Sequence, residues 1–157
     1  MSKKYLKWIV PFNRVRDGGF VEGDINWFAG GKINACYNCV DKHIPSRENQ
    51  VAILWEGDEM GDGKKITYKE LAREVSKIAN VLKSRGVQKG DVVTIYMPMI
   101  PETAMVMLAC ARIGAVHSVV FAGFSADSLR DRINDCDSHF VVVTDEGEHL
   151  NALVCCL

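Results

Sequence analysis

The residue types best suited to chemistry fall in a few short clusters, and most of them fail a specific requirement. Cys36-x-x-Cys39 followed by His43 has the spacing of half a zinc site. A structural zinc takes four ligands, and no second Cys-x-x-Cys or His pair follows at useful spacing, so small residues packing a short helix are the better reading. Gly30-Gly31-Lys32 and Gly61-Asp62-Gly63-Lys64 look like phosphate loops. The first has Asn26 and Ile33 where the motif needs Gly and Ser or Thr, and the second is followed by Lys65. No G-x-G-x-x-G occurs, which removes the main reason to expect a dinucleotide enzyme. His117, between Val116 and Ser118, reads as a hydrogen-bonded strand histidine rather than a base. No Ser or Cys has an identifiable activating partner, and Asp24, Asp41 and Glu102 lie in different elements. Phe121-Ala122-Gly123-Phe124-Ser125 has the best setting. Glycine lets a backbone approach a ligand closely, and amides ahead of a helix can meet an anion. A tight βα turn kept for its geometry accounts for the same residues.

That cluster matters only if the flanking elements place it at the edge of a sheet. Val51–Trp55 reads as a short strand and Gly57–Gly63 as a loop. Thr67-x-x-Glu70 is a capping box, behind which Leu71, Val75, Ile78 and Leu82 form one helical stripe that Gly86 ends. Val92–Met97 is a buried strand stopped by Pro98, and Pro101 opens a helix running to Ile113 and Gly114. Val116–Phe121 is a second strand, Ser125 caps a helix carrying Leu129 and Ile133, and Phe140–Thr144 is a third strand. Strands alternating with helices predict an α/β fold with a parallel sheet and right-handed crossovers. The continuous apolar runs suit strands covered on both faces. Ligands bind such sheets beyond the carboxyl ends of the strands, here Met97-Pro98, Phe121-Ala122-Gly123 and Thr144-Asp145. Residues 1–45 differ in texture, with Trp8, Phe12, Phe20, Trp27, Phe28 and Tyr37 at no regular spacing. They read as an extended, aromatic-rich leader laid onto another surface.

With 157 residues the chain can build a sizeable core, and 48% apolar with 25% charged residues is an ordinary globular composition. A net charge of −1 supplies no pull toward nucleic acid or an anionic membrane, so neither is an expected partner. The longest apolar run, Ala104–Ala111, is cut by Arg112 and is too short to span a membrane. Lys3, Lys4, Lys7, Arg14 and Arg16 give the start a transit-peptide flavour, but Pro11 interrupts any amphipathic helix. The six cysteines, with no signal peptide, read as thiols of a reducing compartment. A cytoplasmic location is expected, with mitochondrial and nuclear locations left open.

Longer motifs point to a family. Gly23-Asp24-Ile25-Asn26-Trp27-Phe28-Ala29-Gly30-Gly31-Lys32-Ile33-Asn34 resembles the amino-terminal signature of acetyl-CoA synthetases, as does Tyr37-Asn38-Cys39-Val40-Asp41-Lys42-His43. The likeness continues through Ile66–Leu71, Lys89-Gly90-Asp91 and Pro98–Glu102, and is densest from Met107 to Ser125. It runs from Trp8 to about Gly147. It divides the chain into a leader (1–45), an incomplete AMP-binding, adenylate-forming domain (46–147) and a divergent tail (148–157).

The resemblance implies an acetate–CoA ligase. Acetate and Mg2+-ATP form acetyl-AMP and pyrophosphate, and the thiol of coenzyme A then releases AMP and acetyl-CoA. Adenylation needs a phosphate loop, a metal and a cationic side chain to neutralise phosphate charge. In the family these, and the acid pocket, lie downstream of the residues present here. The chain alone is therefore expected to be inactive, with no catalytic residue, no metal ligand and no tightly bound cofactor. The missing pocket leaves a propionate or other short-chain ligase open, and a non-catalytic binding or regulatory fragment is the rival from another class. The resemblance places Phe121, Ala122 and Gly123 at the border of bound coenzyme A. Arginines that grip the coenzyme's phosphates follow the family's counterpart of Asp145-Glu146-Gly147, where this chain reads Glu148-His149-Leu150 instead. Weak coenzyme binding is expected, and uncovered strands are expected to favour self-association.

Overall fold

The computed structural model describes residues 2–21, 23–145, 148–149 and 152–153. The proposed tail lies largely outside the described residues, including Cys155 and Cys156, as do Glu146 and Gly147. Its described pieces, Glu148–His149 and Ala152–Leu153, form a short antiparallel pair.

The chain starts with α1 (Ser2–Tyr5), β1 (Trp8–Val10), β2 (Arg14–Gly19), β3 (Asp24–Ala29) and β4 (Lys32–Ile33). This region is folded locally rather than extended: β2 and β3 make an antiparallel hairpin, and β1 pairs with β4. The rings of Trp8, Phe12 and Phe28 pack on one another at centroid distances of 5.0–5.5 Å. Gly31 passes so close to them that a Cβ there would lie 2.5 Å from the Trp8 ring. Then come α2 (Ala35–Cys39), a 3-10 turn (Asp41–His43) and α3 (Ile44–Arg47). Asn34 caps α2, its side chain accepting from the Tyr37 amide, and Cys36 and Val40 are fully buried in the main core. Hairpin residues Phe20 and Trp27 remain exposed.

β5 (Val51–Glu56) pairs antiparallel with β6 (Gly63–Thr67), a strand that sequence reading missed. With two lysines in five residues, β6 has little of the β-branched alternation that marks a strand. α4 (Tyr68–Ser84) opens on the expected capping box between Thr67 and Glu70 and buries Leu71, Val75, Ala79 and Leu82. β7 (Val92–Met97), α5 (Pro101–Ile113), β8 (Val116–Phe121), α6 (Ala126–Asp135) and β9 (Phe140–Val143) follow the expected alternation. Pro101 sits in the first turn of α5, Gly114 ends it in a left-handed conformation, and Ser125 caps α6. β10 (Glu148–His149) and β11 (Ala152–Leu153) close the described chain.

β7, β8 and β9 form a parallel sheet in the order β8-β7-β9. Val93, Ile95 and Met97 of β7 meet α4 and α5 in one core. The expectation of strands covered on both faces holds for β7 and fails for its neighbours. Val116, Val119 and Phe121 of β8, and Val141 and Val143 of β9, are exposed. The cause is position: β8 and β9 are the outer strands among the described residues, and α6 fully buries none of its own side chains.

Candidate functional site

Two loops build the carboxyl edge of the sheet. The loop after β7 is pinned from two sides: Trp55 Nε1 donates to Met99 O at 2.7 Å, and Thr103 Oγ1 donates to Pro98 O at 2.7 Å. The loop after β8 is the segment Phe121–Ser125. Here the Tyr96 hydroxyl lies 2.7 Å from Ala122 O and 2.8 Å from Phe124 O, so one proton is shared between two carbonyls. The Phe124 amide closes the turn onto Phe121 O at 3.0 Å, and the two phenyl rings meet edge to face at 5.8 Å. The Ser125 hydroxyl accepts from the Ser128 amide at 3.3 Å.

The three residues singled out for coenzyme contact thus sit together at this edge. Ala122 is buried, while Phe121 and Gly123 are exposed. Gly123 is absent from the glycines with positive φ, so backbone conformation does not require it. A Cβ there would meet Phe121 Cε1 at 2.6 Å, the edge of a half-exposed ring that would have to shift. The constraint on Gly123 within this chain thus comes from one side chain, Phe121, and not from the backbone conformation.

The anion-binding expectation is narrowed by the same geometry. Phe124 N is spent on the turn, and Asp127 in the first turn of α6 places a carboxylate where an anion would sit. Arg130 is engaged by Asp127 and Asp131 at 2.7 and 2.9 Å, and the Arg132 guanidinium stacks 4.9 Å over the Phe124 ring. This edge suits a neutral, flexible chain better than a phosphate.

The other candidate clusters are structural. Cys36 is buried while Cys39 is exposed, the His43 ring packs on Tyr68 at 4.9 Å, and among the described residues no three metal-ligating side chains come together. Burial pushes the Cys36 thiol up, partly offset by the neighbouring Arg112 guanidinium, and pushes Cys110 up to about 11. Gly30-Gly31-Lys32 is the β3–β4 turn, and Gly61–Gly63 lies in the β5–β6 connection. His117 is half-buried in β8.

Sequence reading missed two features. The first is the Tyr96 clamp, whose only local signal is a phenol within an apolar strand. The second is a latch at the opposite end of the sheet. Asn34 Nδ2 donates to the last carbonyls of α5, Ala111 O at 3.2 Å and Arg112 O at 3.1 Å. Asp41 takes Arg112 through both carboxylate oxygens at 2.9 and 3.0 Å. Beside it opens a cleft of about 400 Å³ lined by Lys7, Trp8, Ile9, Asn34, Tyr37, Asp41 and Arg112. It lies at the carboxyl end of α5, the far end of the sheet from Gly123. Among the described residues no helix is long and apolar enough to cross a membrane.

Comparison with known proteins agrees with this architecture. The family described as "AMP-binding enzyme" matches residues 40–155, and that described as "Acetyl-coenzyme A synthetase N-terminus" matches residues 1–39. Acetyl-coenzyme A synthetase 2 of Pseudomonas aeruginosa is 57% identical over 146 residues, 93% of this chain and 23% of that protein. The acetyl-coenzyme A synthetase of Alcanivorax borkumensis is 56% identical over 146 residues, with the same coverage. Acetyl-coenzyme A synthetase 2 of Saccharomyces cerevisiae is 55% identical over 148 residues, 94% of this chain and 22% of that protein. The chain spans less than a quarter of the length of these relatives. It belongs to the AMP-binding enzymes and corresponds to the amino-terminal portion of their acetyl-coenzyme A synthetases.

Proposed function

We propose that these residues serve an acetate–CoA ligase, supplying one wall of its coenzyme site, and that alone they form no acetyl-AMP. The observation that carries the reading is identity of 54–57% to proteins named acetyl-coenzyme A synthetase across nearly the whole chain. Phe121, Ala122 and Gly123 border the coenzyme, and the pinned, apolar turn supports contact with its neutral arm. The coenzyme's phosphates fit less well, because the α6 arginines are already engaged and Glu148-His149 stands where further cations are expected. Mg2+-ATP chemistry falls to residues outside this chain, and no step of it is assigned to the residues described. The division at residue 45 rests on the change of sequence texture, and that at residue 147 on the departure from the family pattern that follows. The exposed Phe20 and Trp27 of the leader hairpin support packing against further polypeptide. A cytoplasmic location fits a ligase rich in thiols.

The test has two arms. The purified chain is given labelled acetate, ATP and coenzyme A. Pyrophosphate release that depends on both acetate and ATP would overturn the claim of inactivity. The coding sequence beyond the Leu157 codon is then read, and its natural product is assayed with acetate and propionate. Preference for propionate would overturn the acetate assignment, and no ligase activity at all would favour a binding fragment.

A further inference from the structure

Tyr96 carries a hydroxyl that the sheet itself does not use. Its backbone lies in the ladder of β7, in register with Val120 of β8 and Val143 of β9. The hydroxyl reaches out of the strand to Ala122 O at 2.7 Å and Phe124 O at 2.8 Å. These carbonyls belong to the residues on either side of Gly123, so the clamp straddles the one glycine of the turn.

A trans peptide carries its N–H opposite its C=O. With Ala122 O held by the hydroxyl, the Gly123 N–H faces away from Tyr96. The Ser125 N–H does the same behind Phe124 O. Both residues are exposed, and neither amide has a hydrogen-bond partner among the described residues. The Phe124 amide between them is closed onto Phe121 O at 3.0 Å. The turn thus presents outward donors whose direction is set from behind by one phenol. With the Asp127 carboxylate in the first turn of α6, they suit an uncharged acceptor such as an amide carbonyl. The pantetheine arm of coenzyme A carries amides of that kind.

We propose that Tyr96 is a positioning residue for the coenzyme-dependent step: its hydroxyl fixes the Ala122–Gly123 and Phe124–Ser125 peptides so that their amides face the coenzyme's neutral arm. This rests on the reading of Phe121–Gly123 as the coenzyme wall and adds the residue that orients it. Tyr96 touches neither the arm nor the reacting atoms in this role. It acts through the turn alone, so its loss should affect the use of coenzyme A and leave adenylation untouched. A tyrosine that serves only the fold predicts the opposite pattern, a loss of stability with no change specific to the coenzyme.

The experiment separates the two half-reactions in a full-length ligase that contains these residues. The 146-residue matched segment of this chain replaces its counterpart in the Pseudomonas aeruginosa synthetase. Acetate-dependent exchange of pyrophosphate into ATP reads adenylation, and acetyl-CoA formation at varied coenzyme A reads the second step. In Tyr96→Phe the KM for coenzyme A is expected to rise about threefold to tenfold, the range that one neutral hydrogen bond converts to. Exchange is expected to stay unchanged. Gly31→Ala, which overpacks the leader, should lower the melting temperature without moving that KM. An unchanged KM in Tyr96→Phe, or exchange that falls in step with it, overturns the proposal. Gly123→Ala shows where a failure lies. If it raises the KM while Tyr96→Phe does not, the wall stands and the positioning role falls; if neither does, the wall falls too. Should the joined enzyme be inactive, amide chemical shifts of this chain are followed on titration with millimolar pantetheine. Shifts at Gly123 and Ser125 that Tyr96→Phe diminishes support the proposal, and equal shifts in both proteins, or none in either, overturn it.

Discussion

Replacing Tyr96 with Phe isolates the hydroxyl that holds the candidate coenzyme turn, because the ring and its packing stay. That hydroxyl faces two carbonyls, Ala122 O at 2.7 Å and Phe124 O at 2.8 Å, but has one proton to give. The loss is therefore one good hydrogen bond and part of a second. A neutral hydrogen bond contributes about 0.5–1.5 kcal/mol net, and a buried acceptor left unpaired costs about 1–3 kcal/mol. Ala122 is buried, whereas Phe124 is 40% exposed and its carbonyl can turn to water. The lower part of these ranges applies, and the sum is about 1–2 kcal/mol. With a urea dependence of about 2 kcal/mol per molar, the middle of the range for a small protein, the unfolding midpoint should fall by about 0.5–1 M. Tryptophan fluorescence in urea reads this directly. Amide exchange should also rise at residues 122–125 well before the rest of the sheet, since the clamp acts locally. An unchanged midpoint, or a uniform rise in exchange with no excess in the turn, would refute the clamp.

Gly31→Ala should lower the melting temperature, because the new Cβ meets both the Trp8 ring at 2.5 Å and Phe28 O at 2.9 Å; overpacking of this kind costs about 1–3 kcal/mol. Gly123→Ala should leave the melting temperature nearly unchanged while weakening coenzyme use in the ligase to which the segment contributes, and an equal loss of stability at both glycines would contradict that split. Iodoacetamide at mildly alkaline pH should label the exposed Cys39 before Cys36 and Cys110, which stay protected as buried, protonated thiols until urea is added; peptide mass spectrometry decides. The Glu70 carboxyl is held below its ordinary value by hydrogen bonds from the Thr67 backbone and side chain. Its help to α4 is thus complete above the unfolded value near 4.5 and is lost as pH falls through the lower folded value, so Glu70→Gln should flatten that part of a stability–pH curve.

What was legible in the sequence is what neighbouring residues decide. The Thr67–Glu70 box, Pro101 in the first turn of α5, the stop at Gly114 and the Ser125 cap each act within one helical turn. The strand starts at Val92, Val116 and Phe140 follow from apolar runs bounded by such signals. What escaped is non-local. β6 is a strand because β5 lies beside it, and its own Lys64 and Lys65 argue otherwise. Asn34 caps carbonyls 77 and 78 residues away, and Tyr96 reaches across 26 and 28 residues to fix the turn. Sheet order is equally silent in a sequence, yet it decides which strands are outermost and thus why β8 and β9 are half bare.

The matching motifs separate by the work that this chain already gives them. Asn34, Asn38, Asp41 and Arg112 are engaged by hydrogen bonds that fasten α2 and its flanks to Lys7, between α1 and β1, and to the end of α5. Gly31 is demanded by the rings around it, and Gly114 by a φ of +80°. These residues hold the fold, and likeness at their positions speaks for architecture alone. Gly123 differs: its φ is unexceptional, and the atoms nearest to an added Cβ belong to one side chain, Phe121. A glycine that no backbone conformation requires, on a turn pinned by Tyr96 at the carboxyl edge of a parallel sheet, stands where ligands of such sheets approach. That contrast, more than the density of the resemblance, supports the proposal that Phe121–Gly123 border the coenzyme.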